Sequence, residues 1–263
     1  MVEIAIIGGT GIYDPGMLKD ARTSTETTPF GNVDVLVGKY EGLEIAFLPR
    51  HGQQHSVPPH LINYRANIMA LKQLGVRSII ATAAVGSLHF EFKPGHYVLV
   101  DQFLDFTKSR PQTFYDGGPE GVIHCDMTVP YCEEVRGALM KAGESMEIEL
   151  HNGGVYVCTE GPRFETAAEI RMYKDMGGQL VGMTSVPEVV LARELGICYA
   201  TVCIVTNFAA GICPERLTHS EVVDMMRKNT DQVRSLIMGS LRHIPRDKKC
   251  SCNQILGETG VLK

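Results

Sequence analysis

Residues 2–11, Val-Glu-Ile-Ala-Ile-Ile-Gly-Gly-Thr-Gly, join a short apolar run directly to a glycine-rich turn. The apolar, β-branched run predicts a buried first strand. Glycines at the end of a strand let backbone N–H groups approach an anion, and Thr10 adds a hydroxyl donor. The loop lacks the third glycine of a dinucleotide-binding fingerprint, because Asp14 stands at that position. Taken alone, the turn is either an anion site or only a tight turn.

The rest of the chain alternates predicted strands with predicted helices, which is typical of an α/β fold. The predicted strands lie at 33–37, 43–48, 78–82, 97–100, 155–158, 180–183 and 197–206. The predicted helices lie at 61–74, 132–142 and 166–176, with two more that begin at 185 and 218. Residues 105–128 are rich in glycine, proline and polar residues, and are predicted to form a long loop.

Short local signals mark where some of these elements begin. Glu41-Gly42 predicts the turn of a hairpin between the second and third strands. A threonine or serine followed three residues later by glutamate predicts a capping box at three helix starts. The pairs are Thr166 with Glu169, Ser185 with Glu188, and Thr218 with Glu221. No repeat or linker interrupts the pattern, so we expect one domain over residues 1–263 with a peripheral tail at 245–263.

The composition is that of an ordinary globular protein. Hydrophobic residues make up 44% and charged residues 21% of the 263 residues, and the formal net charge is -5. The negative charge and the absence of a basic patch argue against a nucleic-acid partner. No run of about 18 apolar residues predicts a membrane span, and the N-terminal run lacks the basic flank and cleavage site of a signal peptide. We therefore expect a cytoplasmic protein without a membrane partner.

Eight cysteines are scattered along the chain, mostly inside apolar segments such as 197–199 and 202–204. Buried, reduced thiols are the expected state and agree with a cytoplasmic location. Cys250 and Cys252 differ, because they lie in a polar tail at a spacing that suits a small redox pair or a labile disulfide. A metal site would need more ligands nearby than the single His243, and no zinc-type motif is present. We expect no metal and no organic cofactor.

The segment 49–55, Pro-Arg-His-Gly-Gln-Gln-His, directly follows a predicted strand. The planar guanidinium of Arg50 suits phosphate oxygens, and His51 offers a neighbouring donor. These two residues favour an anion site over a solvated turn. His55 and His60 could simply cap the backbone or form local hydrogen bonds.

Further strand ends carry small or hydrogen-bonding residues, at the position where α/β proteins bind ligands. The stretch 81–87, Ala-Thr-Ala-Ala-Val-Gly-Ser, permits close approach by a ligand or, equally, tight packing against a helix. Thr184 could donate to an anion and Asn207 could contact a purine edge, although either could be only a cap or a turn former. The role of Glu165 could be only a favourable interaction of its carboxylate with the dipole of the helix that follows it. These residues alone do not name a reaction.

Several longer motifs, in order along the chain, resemble those of the trimeric purine nucleoside phosphorylase and methylthioadenosine phosphorylase family. They are Gly8-Gly9-Thr10-Gly11-Ile12, Pro49-Arg50-His51-Gly52, Asn63-Tyr64-Arg65-Ala66-Asn67-Ile68, Gly86-Ser87-Leu88, Glu160-Gly161-Pro162-Arg163-Phe164-Glu165-Thr166 and Gly182-Met183-Thr184-Ser185-Val186-Pro187-Glu188. The resemblance spans about residues 3–243. It implies an α/β fold of the nucleoside phosphorylase type, with a central mixed β-sheet flanked by helices.

The resemblance also implies a phosphate site, with inorganic phosphate as co-substrate. Its members are Thr10, Arg50, His51, the backbone of Ala83 and Ala84, and Thr184. Ala83 departs from the family pattern, in which threonine, serine or asparagine usually supplies a side-chain donor. Met183 is expected against the ribose and Phe164 against the base, and Asn207 and His51 are the expected catalytic residues.

The same resemblance predicts which purine is bound. Relatives that act on 6-aminopurines carry aspartates after the last core strand, where this chain has Asn207, Phe208 and Ala209. A 6-oxopurine presents an acceptor at O6 and a donor at N1–H, which suit the Asn207 amide and the Glu165 carboxylate. A mispaired buried group would cost about 1–3 kcal/mol. The sequence therefore favours phosphate-dependent cleavage of inosine and guanosine over adenosine.

The far end of the sugar distinguishes the branches of the family. His219 matches a residue that faces the 5'-hydroxyl in nucleoside-specific relatives, and the alternative is an ordinary first-turn helix residue. His124, in the long loop, resembles a residue lent by a neighbouring subunit, which implies a trimer or a dimer of trimers. The rival functions are a 5'-methylthioinosine or 5'-methylthioadenosine phosphorylase and, outside enzymes, a nucleotide-binding α/β module.

Overall fold

The computed structural model describes residues 2–8, 15–52, 56–214 and 218–254. Within these ranges eleven strands form one sheet. They are β1 Ile4–Gly8, β2 Lys19–Thr28, β3 Gly31–Tyr40, β4 Leu43–Pro49, β5 Ser78–Ser87, β6 Tyr97–Leu99, β7 Gln102–Phe106, β8 Leu150–Asn152, β9 Val155–Thr159, β10 Leu180–Gly182 and β11 Cys198–Phe208. The helices are α1 Tyr64–Gln73, α2 Glu133–Ser145, α3 Ala167–Asp175, α4 Ser185–Glu194 and α5 His219–Ser240.

Strand β5 forms the centre of the sheet, because it pairs with three neighbours. It runs parallel to β1 and β11 and antiparallel to β10. In the register with β11, Asn207 pairs with Gly86, so both strands end at one edge of the sheet. Strand β4 runs parallel to β1 and brings Arg50 to the same edge, where the Arg50 N–H donates to Gly8 O at 3.1 Å.

Helices cover both faces of the sheet. Alternate residues of β5 belong to two different cores, Ile79 and Ala81 to one and Ile80 to the other. Helices α1 and α4 contribute to the first core, and α2 and α5 to the second. This is the two-residue period of a strand that is buried on both faces. The predicted α/β fold, a central mixed sheet flanked by helices, is confirmed. None of the described helices has the length and apolar character needed to cross a bilayer.

The predicted hairpin is present between β3 and β4, where Tyr40 pairs with Leu43 across the turn Glu41-Gly42. Gly42 has a φ of +82°, a left-handed conformation that favours glycine. The sheet also contains β2, which the pattern did not predict. Its residues are mostly exposed and include four threonines, so neither face shows the apolar alternation of a half-buried strand.

Two of the three predicted capping boxes are confirmed. The Thr166 hydroxyl accepts from the Glu169 N–H, and the Glu169 carboxylate accepts from the Thr166 N–H, directly before α3. Thr218 and Glu221 make the same reciprocal pair at the start of α5. Each pair satisfies two backbone donors that the first helical turn leaves without partners.

The third predicted capping box, Ser185 with Glu188, is wrong. Helix α4 begins at Ser185 itself, and Val186 departs from helical geometry with φ and ψ of -112° and 131°. The Glu188 carboxylate instead forms a buried ion pair with Arg50. The local pattern could not distinguish a cap from a carboxylate whose partner lies 138 residues away.

The predicted long loop begins later than expected. Residues 105 and 106 end strand β7, and only the single 3-10 turn Gly118–Glu120 is regular between that strand and α2. At the other end of the chain, residues 245–254 fold back over the start of β11. Cys252 in this tail is buried and belongs to the second core.

Candidate active site

A cavity of about 540 Å³ lies at the edge of the sheet where β4, β5, β10 and β11 end. Its wall brings together residues from distant parts of the chain that the sequence singled out for phosphate, ribose and base. These are Arg50, His51, Ala83, Ala84, Phe164, Glu165, Met183, Thr184, Asn207 and Ala209. The volume falls in the range of small-molecule sites.

A buried carboxylate holds the Arg50 guanidinium at this wall. Arg50 Nε donates to Glu188 Oε2 at 2.7 Å, and Nη2 donates to Glu188 Oε1 at 2.6 Å. Nη1 donates to the carbonyl oxygen of Thr82 at 2.8 Å. Within the described residues, three of the five guanidinium N–H groups thus have protein acceptors, and the other two can serve an anion in the cavity.

The Arg50–Glu188 pair is shielded from water, with side chains 1% and 0% exposed. Burial alone would lower the pKa of Arg50, but the Glu188 carboxylate raises it above its ordinary value. Tyr199 Oη also donates to Glu188 Oε1, at 2.7 Å. The guanidinium therefore stays charged and fixed in orientation, as bidentate recognition of phosphate requires.

His51 lies beside Arg50 and is oriented by the backbone. Its Nδ1 is 2.8 Å from Val57 O. Since a carbonyl oxygen only accepts, Nδ1 carries the hydrogen of this contact, and Nε2 is the other ring nitrogen. A protonated Nε2 would add a charged donor to the Arg50 side of the cavity.

Ala83, Ala84 and Thr184 form the adjoining wall. Ala83 and Ala84 lie in the last half of β5 and offer no side-chain donor. Thr184 directly precedes α4, is 8% exposed, and its N–H donates to Tyr156 Oη at 3.2 Å. Side-chain donation to an anion at this wall therefore depends on the Thr184 hydroxyl.

Glu165 contributes a partly buried carboxylate to the same cavity. Thr159 Oγ1 donates to Glu165 Oε1 at 2.6 Å. Burial raises the pKa of the Glu165 carboxyl above its ordinary value, although the hydrogen bond from Thr159 opposes the shift. A donor on a bound ligand would favour the ionised form, because it would replace hydration that burial has removed.

The Asn207 amide is oriented by its neighbours on β11. Thr206 Oγ1 donates to Asn207 Oδ1 at 2.7 Å, and Asn207 Nδ2 donates to Phe208 O at 2.9 Å. The reversed amide would set two oxygens against each other at Phe208, so Asn207 offers its second N–H to a ligand. Gly86 leaves room for this group, since a Cβ at that position would lie 3.2 Å from Nδ2.

Residues 3–242 match the family model described as the phosphorylase superfamily. This chain belongs to the phosphorylase superfamily. The match covers the strands and helices that build the cavity. The family membership inferred from the sequence motifs is confirmed.

Named relatives span almost the whole of this superfamily member. The 6-oxopurine nucleoside phosphorylase of Pyrococcus furiosus is 54% identical over 267 residues, with 99% of this chain and 100% of the relative covered. The probable S-methyl-5'-thioinosine phosphorylase of Methanothermobacter thermautotrophicus is 51% identical over 257 residues, with 96% and 88% covered.

Solved structures of the superfamily share the fold. The methylthioadenosine phosphorylase of Schistosoma mansoni in complex with adenine is 35% identical with a TM-score of 0.93, and both chains are covered completely. A methylthioadenosine phosphorylase from an antarctic soil metagenomic library is 38% identical with a TM-score of 0.92, covering 98% of this chain and 92% of that one.

Some predicted site residues of this phosphorylase-superfamily chain lie elsewhere. The Phe208 ring packs against Phe90, with ring centroids 5.2 Å apart, and His124 is exposed. Neither belongs to the part of the cavity wall that the described residues form. Thr10 and the side chain of His219 lie outside the described residues, so the predictions made for them stay predictions.

Arg110 is a buried residue near the cavity that the sequence did not single out. Its Nη1 donates to the carbonyl oxygens of Met183 and Val186 at 2.7 and 2.8 Å. Its Nη2 donates to those of Thr159 and Glu160 at 3.1 and 2.7 Å. Arg110 thereby ties the loop after β7 to the ends of β9 and β10, which carry site residues.

The apolar part of the cavity wall was also missed. Val222 and Met226, on neighbouring turns of α5, line the cavity. Their four-residue spacing places them on one helix face. From sequence alone, this spacing could not be distinguished from ordinary core packing.

Proposed function

We propose that this chain is a 6-oxopurine nucleoside phosphorylase. It transfers the ribosyl group of inosine or guanosine from the purine to inorganic phosphate, which releases the free base and ribose 1-phosphate. The observation that carries the proposal is that Glu165 and Asn207 line the same cavity as Arg50. The named relatives, among them a 6-oxopurine nucleoside phosphorylase at 54% identity, support it.

The hydrogen-bonding capacity of the base site matches a 6-oxopurine. The second N–H of Asn207 Nδ2 donates to purine O6 or N7, because Oδ1 already accepts from Thr206. The Glu165 carboxylate accepts from N1–H and, in guanine, also from the 2-amino group. Adenine presents an amino group and an unprotonated N1 instead. It would leave Glu165 mispaired in a partly buried site, and also Asn207 where that amide donates to O6.

The phosphate site uses donors that are fixed before the substrates bind. Arg50 is held by Glu188, and His51 is held by Val57 O. Thr184 and, by inference from the family motif, Thr10 add hydroxyl donors. Preorganised donors of this kind stabilise charge without reorganisation during the reaction.

In the reaction, the C1'–N9 bond breaks and a bond from C1' to a phosphate oxygen forms. The electron pair of the C1'–N9 bond leaves with the purine, and the Asn207 N–H stabilises that negative charge at N7 or O6. The purine anion then takes up the proton that the new phosphate monoester loses, which gives the neutral free base. The phosphate dianion, positioned by Arg50 and His51, stabilises the cationic sugar and then bonds to C1'. The step needs no covalent enzyme intermediate and no cofactor besides phosphate as co-substrate.

A second candidate, a 5'-methylthio nucleoside phosphorylase, is favoured by one observation. Val222 and Met226 give the cavity an apolar wall on α5, the helix that begins at His219. An apolar wall suits a methylthio group, whereas the His219 side chain suits a 5'-hydroxyl. His219→Val should shift preference towards 5'-methylthioinosine by about tenfold, since one hydrogen bond is exchanged for apolar contact. Equal effects on inosine and on its methylthio analogue would contradict this role of His219.

The proposed function is tested by the release of free hypoxanthine from inosine with and without inorganic phosphate. We expect release only with phosphate, together with an equal amount of ribose 1-phosphate. Guanosine, adenosine and both 5'-methylthio analogues are compared under the same conditions. Phosphate-independent release would indicate a hydrolase, and binding without turnover of any of the five nucleosides would indicate a binding module. Asn207→Ala should slow the release of hypoxanthine, and Asn32→Ala, at an exposed asparagine, is its control.

The active unit is proposed to be a homotrimer or a dimer of trimers in the cytoplasm. Exposed apolar side chains near the irregular segment after β7, among them Val122 and Val129, flank the exposed His124 and support a subunit contact there. None of the eight cysteines, all of which lie in the described ranges, forms a disulfide, which agrees with a reducing compartment. Light scattering would give the oligomeric state, and a monomer with full activity would contradict the contribution of His124 to a neighbouring site.

A further inference from the structure

Four cysteines meet at the end of the sheet opposite to the cavity. Cys132 directly precedes α2, Cys198 is the first residue of β11, and Cys250 and Cys252 come from the tail. Their Sγ atoms all lie within 4.8 Å of one another, and three of the four residues are buried. Asn207 lies nine positions after Cys198 on β11, which corresponds to about 30 Å. The cluster is therefore remote from the proposed reaction.

We propose that these four cysteines bind one zinc ion as thiolates. A tetrahedral zinc ion with Zn–S bonds of about 2.3 Å sets its four sulfur atoms about 3.8 Å apart. The cluster has this arrangement in outline, because every sulfur is near all three others, and Cys198 Sγ lies 3.4 Å from Cys250 Sγ. Four cysteines around one point are a closed set, as in structural rather than catalytic zinc sites.

Positive charge next to the cluster complements the proposed ion. Zn²⁺ with four thiolates carries a net charge of about -2. Arg193 is buried, and its Nη1 donates to Cys252 Sγ at 3.3 Å. The Lys248 ammonium lies within hydrogen-bonding reach of the Cys198 thiol.

Lys248 is itself held in place, since its Nζ donates to Arg77 O at 3.1 Å and to Ser78 Oγ. One arginine and one lysine therefore match the charge of a four-thiolate zinc site. Two disulfides would need only pairwise proximity of the sulfurs, and as neutral groups they would gain nothing from either cation. The four-way contact and the adjacent charges together favour the metal.

The ion would tie the tail to the body of the protein. Cys250 and Cys252 lie ten or more residues beyond α5, whereas Cys132 and Cys198 belong to the layer that α2 and β11 form. Without a cross-link, the tail is held by the buried Cys252 side chain and by a few polar contacts. A shared zinc ion would add folding free energy, because the unfolded chain lacks a preformed site.

The test uses the full-length protein, produced with zinc in the medium and purified under reducing conditions without chelator. Elemental analysis should find about one zinc ion per chain. Exchange for Co²⁺ should give the intense thiolate-to-metal charge-transfer and visible d–d bands of tetrahedral sulfur coordination. Bound zinc should protect four cysteines from alkylation until a chelator is added. The Cys250→Ser/Cys252→Ser double variant should bind zinc at least about tenfold more weakly.

Cys213→Ser, which changes a cysteine outside the cluster, is the matched control and should keep its zinc. Absence of metal from the reduced wild-type protein would overturn the proposal. A wild-type mass lower by four hydrogens, insensitive to chelator and restored by reductant, would overturn it in favour of two disulfides. Full zinc occupancy in the double variant would also overturn the proposal, because the zinc would then not depend on Cys250 and Cys252. If the double variant fails to fold, the Co²⁺ spectrum of the wild type tests the proposal. Absence of the bands of tetrahedral sulfur coordination would then overturn it.

Discussion

The guanidinium of Arg50 and the carboxylate of Glu188 form two parallel hydrogen bonds of 2.7 and 2.6 Å although 138 residues separate them in the chain. Arg50 follows β4 and Glu188 lies in the first turns of α4, so the pair joins the edge of the sheet to a helix on its face. Tyr199 on β11 adds a third contact. The group proposed to bind phosphate is therefore also a link between three elements of the fold.

Glu188→Gln should destabilise the protein and weaken phosphate binding. Removal of the carboxylate charge leaves the Arg50 charge buried without a partner, which costs about 3–5 kcal/mol in the free energy of unfolding. The guanidinium also loses its fixed orientation, so KM for phosphate should rise more than KM for inosine. Urea unfolding and initial rates at varied phosphate measure the two effects. The exposed Glu144→Gln should change neither, and an unaltered midpoint in Glu188→Gln would contradict the role of this ion pair.

Glu165→Gln should reduce kcat/KM for guanosine by about ten- to a hundredfold, because a charge-assisted hydrogen bond of roughly 1.5–3 kcal/mol is lost. The carboxylate is the active form, so wild-type activity is present above the Glu165 pKa and falls as pH decreases through it. Burial raises that pKa, and the loss should therefore begin at a higher pH than for an exposed glutamate. The pH profile of the variant should lack the fall in activity that Glu165 protonation causes. It should retain the fall that protonation of phosphate itself causes.

The same substitution should increase stability at neutral pH. Because the folded-state pKa of Glu165 is raised, the stability linked to its protonation is complete below the unfolded-state pKa and is lost as pH rises through the folded-state value. Glutamine does not ionise, so the variant avoids the free-energy cost of a buried carboxylate charge at neutral pH. A thermal midpoint that rises in Glu165→Gln but not in the exposed Glu91→Gln is the expected result. Unchanged kinetics together with an unchanged midpoint would rule out the burial of a functional carboxylate here.

Asn207→Asp should lower inosine phosphorolysis by about tenfold or more and raise the ratio of adenosine to inosine turnover. An aspartate oxygen would replace Nδ2 opposite Phe208 O, where the present distance is 2.9 Å. Repulsion between the oxygens would favour a protonated carboxyl, whose single proton would move from Phe208 O to N7 as the base leaves, while its other oxygen accepts from a 6-amino group. Initial rates on both nucleosides give the ratio. An unaltered ratio would show that Asn207 does not select the base, and Asn32→Asp serves as the control.

Arg110→Met should destabilise the protein by about 3 kcal/mol, since each buried acceptor left without a donor costs about 1–3 kcal/mol, although Arg110 is not proposed to contact the substrates. The methionine would leave carbonyl oxygens of the Met183 and Glu160 segments without their donors. Since these segments hold Met183 and Glu165, kcat/KM should fall as well. Differential scanning calorimetry and inosine kinetics test both expectations. The exposed Arg227→Met provides the comparison, and equal behaviour of the two variants would argue against Arg110 as a positioning residue.

What could be predicted from the sequence depended on the range of each interaction. The hairpin around Glu41-Gly42 and the capping box of Thr166 with Glu169 rest on residues that are close in the chain, and both are present. The motifs around Arg50 and Asn207 follow strands, so their meeting at one edge follows from parallel pairing.

Interactions between distant segments were beyond the reach of local patterns. Glu188 stands three residues after a serine and so resembled a capping residue, whereas its partner is Arg50. Arg110 lies in a loop without periodicity, and its role depends entirely on which carbonyl oxygens the fold brings to it. Cys132 and Cys198 resembled ordinary core thiols, because only the sheet and the returning tail bring them beside Cys250.

The separation of the two halves of the cavity has a consequence for how such proteins diverge. The anchors of Arg50 are Glu188 and Thr82, whereas Asn207 is oriented by Thr206 and Phe208, so in the described part of the chain the two groups are held by different residues. Mutations can thus replace the residues proposed to select the purine without changing the residues that hold Arg50 in the proposed phosphate site. Two relatives that are each about half identical to this chain are named for different nucleosides, as such a separation would allow.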